Sequence, residues 1–257
     1  MSTELTAAQR VAIARHPQRP NITDYIGALF TDFFEQKGDR LCREDPAILG
    51  GVALYHDRPV TVIGTRKGKT AEESIRCNFG MPGPEGYRKA LRLMKQAEKF
   101  RRPVVCLVDT AGAYCGLGAE ERGQGQAIAE NLMELSSLRT PVVSILVGEG
   151  GSGGALALAL ADQVWILENA VYSVISPEGC ASILWKDAKR VKDAAECLRL
   201  TAQDMQELGV VEHVIPEDDF EAAFRDIRSR LAGELPELIA TPVDELLHRR
   251  YQRFRAF

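Results

Sequence analysis

No two of the six cysteines form a Cys-x-x-Cys pair; they fall singly at 42, 77, 106, 115, 180 and 197, with no histidines clustered beside them. That spacing supports neither a zinc site nor a disulfide framework. A reducing cytoplasm is the expected compartment, with most of these thiols acting as small apolar core residues. Basic charge is not in excess either: 32 Lys and Arg against 36 Asp and Glu give a net charge of −4, which excludes the basic footprint of a bulk nucleic-acid binder. Every long apolar run is broken by glycine, aspartate or another charged residue before it reaches a membrane span. The opening MSTELTAAQRVAIARHP lacks the apolar core of a secretion signal. Linkers, low-complexity segments and repeats of roughly 20–50 residues are also missing. What remains is a chain of 257 residues, 45% hydrophobic, able to bury a full core as one α/β domain.

Glycine, by contrast, is concentrated. Pro141–Asp162 reads PVVSILVGEGGSGGALALALAD: an apolar strand, a turn carrying Gly148, Gly150, Gly151, Gly153 and Gly154, then an Ala/Leu helix. A turn without side chains brings backbone N–H groups close to whatever lies above it. The helix starting there adds unpaired amides and the positive end of its dipole. Such a strand–turn–helix suits an anion or a developing oxyanion. A similar unit precedes it: strand Pro103–Asp109, the turn DTAGAYCGLGAEERGQG, and a helix to Leu138. Two parallel βα units in tandem place both turns at the carboxyl edge of one sheet, where open α/β sheets bind ligands.

Around these units the pattern predicts a helical arm over 1–38, including a helix Thr23–Gln36 capped by Thr23 or Asn21 and closed near Gly38. A hairpin comes next, Ala47–Tyr55 and Pro59–Gly64 joined at His56-Asp57-Arg58, then a loop Thr65–Gly83 and a helix Pro84–Arg102. Further strands are expected at Gln163–Leu167, Tyr172–Ser176 and Val210–Ile215, and terminal helices fill 218–257. Ser176 is expected to cap a helix with Glu178 in its first turn.

Two motifs compete with an oxyanion reading. Gly150-Gly151-Ser152-Gly153-Gly154 matches the hydrolase elbow G-x-S-x-G, but only His213 and His248 lie downstream, so Ser152 lacks an evident partner. Gly64–Thr70 ends in GKT, yet its glycines are one residue too close for a phosphate loop, and a basic surface loop explains it better. Arg88, Arg92, Lys95, Lys99 and Arg102 share one helix face; they read first as a solvated stripe and second as a surface steering an acidic partner.

The runs RCNFGMPGPEGYRKA (76–90), GAEERGQ (118–124), GEGGSGGALA (148–157) and YSVISPEGCASILWK (172–186) resemble the α-subunit family of bacterial acetyl-CoA carboxylase carboxyltransferases. The resemblance implies a crotonase-like ββα spiral and transfer of a carboxyl group from carboxybiotin to acetyl-CoA, giving malonyl-CoA for fatty-acid synthesis. It implies a zinc-ribbon β subunit, a biotin carboxyl carrier protein and an α2β2 assembly as partners, biotin as cofactor carried elsewhere, and no metal on this chain. It assigns the oxyanion hole to the amides of Gly153 and Gly154, with Gly112, Ala113, Tyr114, Gly150 and Gly151 expected to bind substrate. Three departures stand out. Ala111 and Cys115 replace prolines usual in the first turn, which should loosen it. Pro216–Phe220 stands where relatives tend to carry GGAH, and the N-terminal region is shorter than is common. These departures leave another acyl-CoA, such as propionyl-CoA, open as the acceptor. A stand-alone hydratase or isomerase is the alternative, with Glu149 as its acid.

Overall fold

The computed structural model describes residues 5–257. Two short helices lead, α1 (Ala7–Ala14) and α2 (Ile22–Leu29), each opened by a reciprocal capping box, Thr6 with Gln9 and Asn21 with Asp24. The expected helix Thr23–Gln36 stops at Leu29. Phe30 is extended, and the β-branched and aromatic residues of TDFFE form the edge strand β1 (Thr31–Glu35) instead. The 1–38 arm is therefore helical only in part. The hairpin β2 (Ile48–Tyr55) and β3 (Arg58–Thr65) forms as expected, with His56 and Asp57 both left-handed (φ 46° and 62°), the geometry of a two-residue hairpin turn. The supposed loop after it contains α3 (Ala71–Arg76), capped by the Thr70 side chain, and a single 3₁₀ turn at Asn78–Gly80.

Helix α4 (Pro84–Lys99) begins with proline at its first position, where no N–H is needed. Then come β4 (Val104–Thr110), α5 (Leu117–Glu121), α6 (Gln124–Ser137), β5 (Val142–Gly151) and α7 (Ser152–Ala159). Next are β6 (Gln163–Leu167), β7 (Val171–Ser173), α8 (Pro177–Trp185), capped by Ser176 as expected, α9 (Val191–Cys197) and α10 (Ala202–Glu207). Strand β8 (His213–Ile215) and helices α11 (Phe220–Ala240) and α12 (Val243–Arg255) complete the chain.

One sheet runs β1-β2-β3-β4-β5-β6-β8, antiparallel across the first three strands and parallel from β3 onward. Val104–Val108, Val142–Val147 and Val164–Leu167 are buried, the continuous apolar pattern of parallel strands covered on both faces. Strand β5 is longer than the predicted Pro141–Val147. Its first half pairs with β4 and β6; its last three residues, Glu149–Gly151, pair with β7. The carboxyl ends of β3, β4 and β5 thus lie side by side, and both glycine turns leave from that edge. Among the described residues no helix is long and apolar enough to cross a membrane.

Candidate active site

The first turn is pinned by side chains. Thr110 Oγ1 donates to the Gly112 carbonyl (2.7 Å) and accepts from the Gly112 amide (3.1 Å), while Gly112 sits at φ 148°, a region open to glycine. The Tyr114 amide donates to Pro82 O (2.9 Å), and the buried Gln124 amide nitrogen donates to both Tyr114 O and Pro82 O (2.8 Å each). These bonds fasten the turn where Ala111 and Cys115 stand in place of the usual prolines.

The second turn lies directly against the first. A methyl group at Gly151 would stand 2.1 Å from Ala111 O; one at Gly154 would stand 2.4 Å from the Ala113 amide and 2.7 Å from the Tyr87 hydroxyl. At Gly150 it would meet the Tyr172 ring at 2.9 Å. Gly112, Ala113, Gly150, Gly151 and Gly154 are therefore brought together, and close packing alone accounts for glycine at 150, 151 and 154. Gly153 is different: its nearest neighbour would be Ile128 Cγ2 at 3.7 Å, an ordinary contact. Packing does not require glycine there.

Gly153 instead lines a cavity of about 300 Å³ with Ser152, Leu156, Tyr172, Ser173, Val174, Leu198, Met205 and Val210. It is the second residue of α7, whose first-turn amides have no intrahelical acceptor and whose N-terminus no side chain caps. Gly154, one residue on, is buried against the first turn, and the buried Tyr87 hydroxyl donates to its carbonyl (3.2 Å). Tyr114 lies apart from this cavity. It lines a separate polar pocket of about 460 Å³ with Arg43, Glu85, Gly116 and Arg122.

Comparison with known proteins supplies the family. Residues 1–257 match the acetyl co-enzyme A carboxylase carboxyltransferase-like family over their full span. This chain belongs to that family. It is 54% identical to the acetyl-coenzyme A carboxylase carboxyl transferase subunit alpha of Clostridium acetobutylicum, covering 99% of this chain and 95% of that protein. The same subunit of Bacillus cytotoxicus is 56% identical over 95% of this chain and 78% of its own length. Among solved structures, transcarboxylase 12S superposes with a TM-score of 0.69 at 20% identity, over 84% of this chain. The geranyl-CoA carboxylase beta subunit of P. aeruginosa gives 0.67 at 17% identity, over 93% of this chain. The chain spans less than half the length of these two structures, 41% and 46%. They share its fold, the crotonase-like architecture expected from the sequence.

Within this carboxyltransferase-like fold the competing readings lose their footing. Ser152 has the left-handed backbone of a strained elbow (φ 53°), but its cavity contains neither a histidine nor an acid. His213 is paired with Glu234 and packs on Trp165. A fluorophosphonate probe should therefore leave Ser152 unlabelled, as mass spectrometry of the treated protein would show; stoichiometric labelling would restore the hydrolase reading.

Glu149 is no free acid. Its two oxygens face Arg15 Nε (2.7 Å) and Lys67 Nζ (2.9 Å). Burial alone would raise its carboxyl, but Lys67 and Arg15 outweigh that and hold it below the ordinary range. The acid required of a hydratase is thus locked as a carboxylate.

Four of the five residues of the basic stripe have partners within the protein, but Lys95 and Lys99 are exposed, so the stripe is solvated in part, as expected. Arg88 pairs with Asp39 (2.9 Å), Arg92 donates to carbonyls of residues 36–38, Lys95 pairs with Glu134 (2.6 Å) and Arg102 donates to Thr61 (3.2 Å). In the GKT loop, Lys69 pairs with Asp24, and the half-buried Lys67 bridges Asp109 and Glu149. Lys67 and Tyr87 are the site residues that sequence reasoning missed. For Lys67 a signal existed: Lys67, Asp109 and Glu149 each lie at or just beyond the end of adjacent predicted strands.

Proposed function

We propose that this chain is the α subunit of an acetyl-CoA carboxylase carboxyltransferase, moving a carboxyl group from carboxybiotin on a carrier protein to acetyl-CoA to yield malonyl-CoA for fatty-acid synthesis. The observation that carries the proposal is the uncapped N-terminus of α7, where Gly153 lies bare at the wall of a mostly apolar cavity. Leu156, Val174, Leu198, Met205 and Val210 suit the hydrocarbon part of a biotin ring system, and the α7 amides suit its urea oxygen.

Carboxybiotin supplies the activated carboxyl group as substrate. This chain supplies donors from the first turn of α7, the amide of Gly153 at the cavity wall and that of Gly154 one residue deeper, for the negative charge that develops on a urea-type oxygen as the carboxyl group departs. One such donor is worth about 3 kcal/mol at the transition state. Gly112, Ala113, Gly150 and Gly151 hold those donors in register, and Tyr114 shapes the neighbouring surface. Relatives named as alpha subunits support a beta subunit as partner. We assign to that subunit a zinc ribbon and the acyl-CoA site, in a cytoplasmic α2β2 complex. Val174 at the cavity and Ile183 and Leu184 on α8 are exposed apolar residues on the side such a partner would cover.

Co-expression with a zinc-ribbon β subunit tests the reading. The purified complex should make malonyl-CoA from carboxylated carrier protein and acetyl-CoA, and the isolated chain should make none. Hydratase activity of the isolated chain on an enoyl-CoA would replace the proposal, and a parallel assay with propionyl-CoA decides the acceptor.

A further inference from the structure

The ladder between β4 and β5 slips just below the two turns. Val108 pairs with Leu146, but the next pair is Thr110 with Gly150, so Asp109 alone faces Val147, Gly148 and Glu149. Bulges of this kind bend a strand and re-aim the residues beyond the bend. Beyond the bulge β5 stays paired with β4 at Gly150 but exchanges β6 for β7, and Gly150–Gly154 pass over the first turn.

The side chain of Asp109 fills the bulge. Its Oδ1 accepts the Glu149 amide at 2.8 Å, replacing a ladder bond that the β4 backbone cannot supply, and Thr65 Oγ1 accepts the Asp109 amide at 2.6 Å. Gly148 must lack a side chain, because a methyl group there would lie 2.3 Å from Asp109 Oδ1. Lys67 closes the arrangement, donating to Asp109 Oδ1 at 2.6 Å and to Glu149 Oε2 at 2.9 Å. Its stem packs against Gly80, where a methyl group would lie 2.6 Å from Lys67 Cγ. From the other side Arg15 holds Glu149 Oε1 and extends to Glu178 on α8 at 2.6 Å. One half-buried cation thus joins carboxylates near the ends of β4 and β5, each within two positions of a site turn.

We infer that Lys67, acting through Asp109 and Glu149, is a positioning residue that sets the bulge and hence the placement of the α7 amides against the first turn. The inference deepens the proposed carboxyl transfer and rests on it. Lys67 does not touch the reacting group. Its removal leaves two neighbouring carboxylates sharing too little positive charge, and their repulsion opens the bulge.

The test uses the complex with the β subunit. Lys67→Met, close in length and shape, should lower kcat by about a hundredfold, the scale of a small misplacement of catalytic groups, with KM for both substrates unchanged. The double variant Lys67→Met/Glu149→Gln restores the charge balance and keeps an acceptor for Arg15, and should recover most of the lost kcat. A Lys67→Met chain that fails to assemble while the double variant assembles supports the same balance. Unchanged kcat in Lys67→Met, a raised KM with no recovery in the double variant, or failure of both to assemble would each overturn it. Should the wild-type complex make no malonyl-CoA, the proposed function falls separately. Amide hydrogen exchange over 110–113 and 150–154 then reads the clamp directly: faster in Lys67→Met and restored in the double variant, with no change overturning it.

Discussion

Gly153→Ala is expected to leave the fold intact and cut carboxyl transfer by about a hundredfold, whereas Gly151→Ala damages the fold itself. The two glycines are neighbours in one turn, and their surroundings separate them. A methyl group at 153 meets only Ile128 at 3.7 Å. As the second residue of α7 it gains helix propensity, worth up to about 1 kcal/mol relative to glycine. That methyl group nevertheless stands at the cavity beside the first-turn amides, where it keeps a urea-sized oxygen at arm's length. At 151 the same methyl group meets Ala111 O at 2.1 Å and Gly112 N at 2.9 Å, both backbone atoms of the opposite turn. Neither can rotate away, so the turns must separate, at about 1–3 kcal/mol. Thermal unfolding and malonyl-CoA formation, measured on both variants in the complex, distinguish the cases. A Gly153→Ala complex that melts normally and transfers at the wild-type rate would remove the α7 N-terminus from the chemistry.

The same contrast shows what could be read from residues alone. The strand–turn–helix of Pro141–Asp162 was legible because apolar periodicity and a glycine cluster are local properties, and so was the hairpin at His56-Asp57. The division of labour among the glycines was not. It depends on which backbone lies opposite each one, and that is decided by residues some forty positions away at Ala111–Ala113. Strand β1 was hidden for a related reason. TDFFE comes after a good helix without a breaker, and only pairing with β2 makes it a strand. The bulge at Val147–Glu149 was hidden altogether, since it is a mismatch between two strands and neither strand carries it alone. Lys67 reads as surface charge until β3, β4 and β5 are set side by side; then its position beside two strand-end carboxylates is forced.

Arg250→Met is expected to cost the fold about 3–5 kcal/mol, more than the glycine changes do. Arg250 is only 1% exposed and reaches from α12 into the body of the protein. Its guanidinium binds Asp162 through Nε to Oδ1 at 2.8 Å and Nη2 to Oδ2 at 2.7 Å. It also donates to the carbonyls of Leu135 (2.7 Å), Leu138 (2.8 Å) and Thr140 (3.1 Å). Those carbonyls belong to the last turn of α6 and the chain leaving it, where a helix has unpaired acceptors and favours positive charge. Asp162 in turn accepts the Val142 amide at 2.8 Å, at the first residue of β5. Methionine fills much of the space but strands a buried carboxylate and three carbonyls, which is why the loss exceeds that of an exposed ion pair. Against a typical domain stability of about 5–15 kcal/mol, the variant is left marginal. Urea unfolding should show the midpoint falling with an unchanged slope, and Arg250→Met/Asp162→Asn should recover part of the loss by removing the stranded charge while keeping the acceptor for Val142. An unmoved midpoint would mean that α12 is not anchored through this residue. The consequence reaches the site, because α6, fastened at its far end by Arg250, carries at its first position Gln124, whose side chain pins the turn at Tyr114.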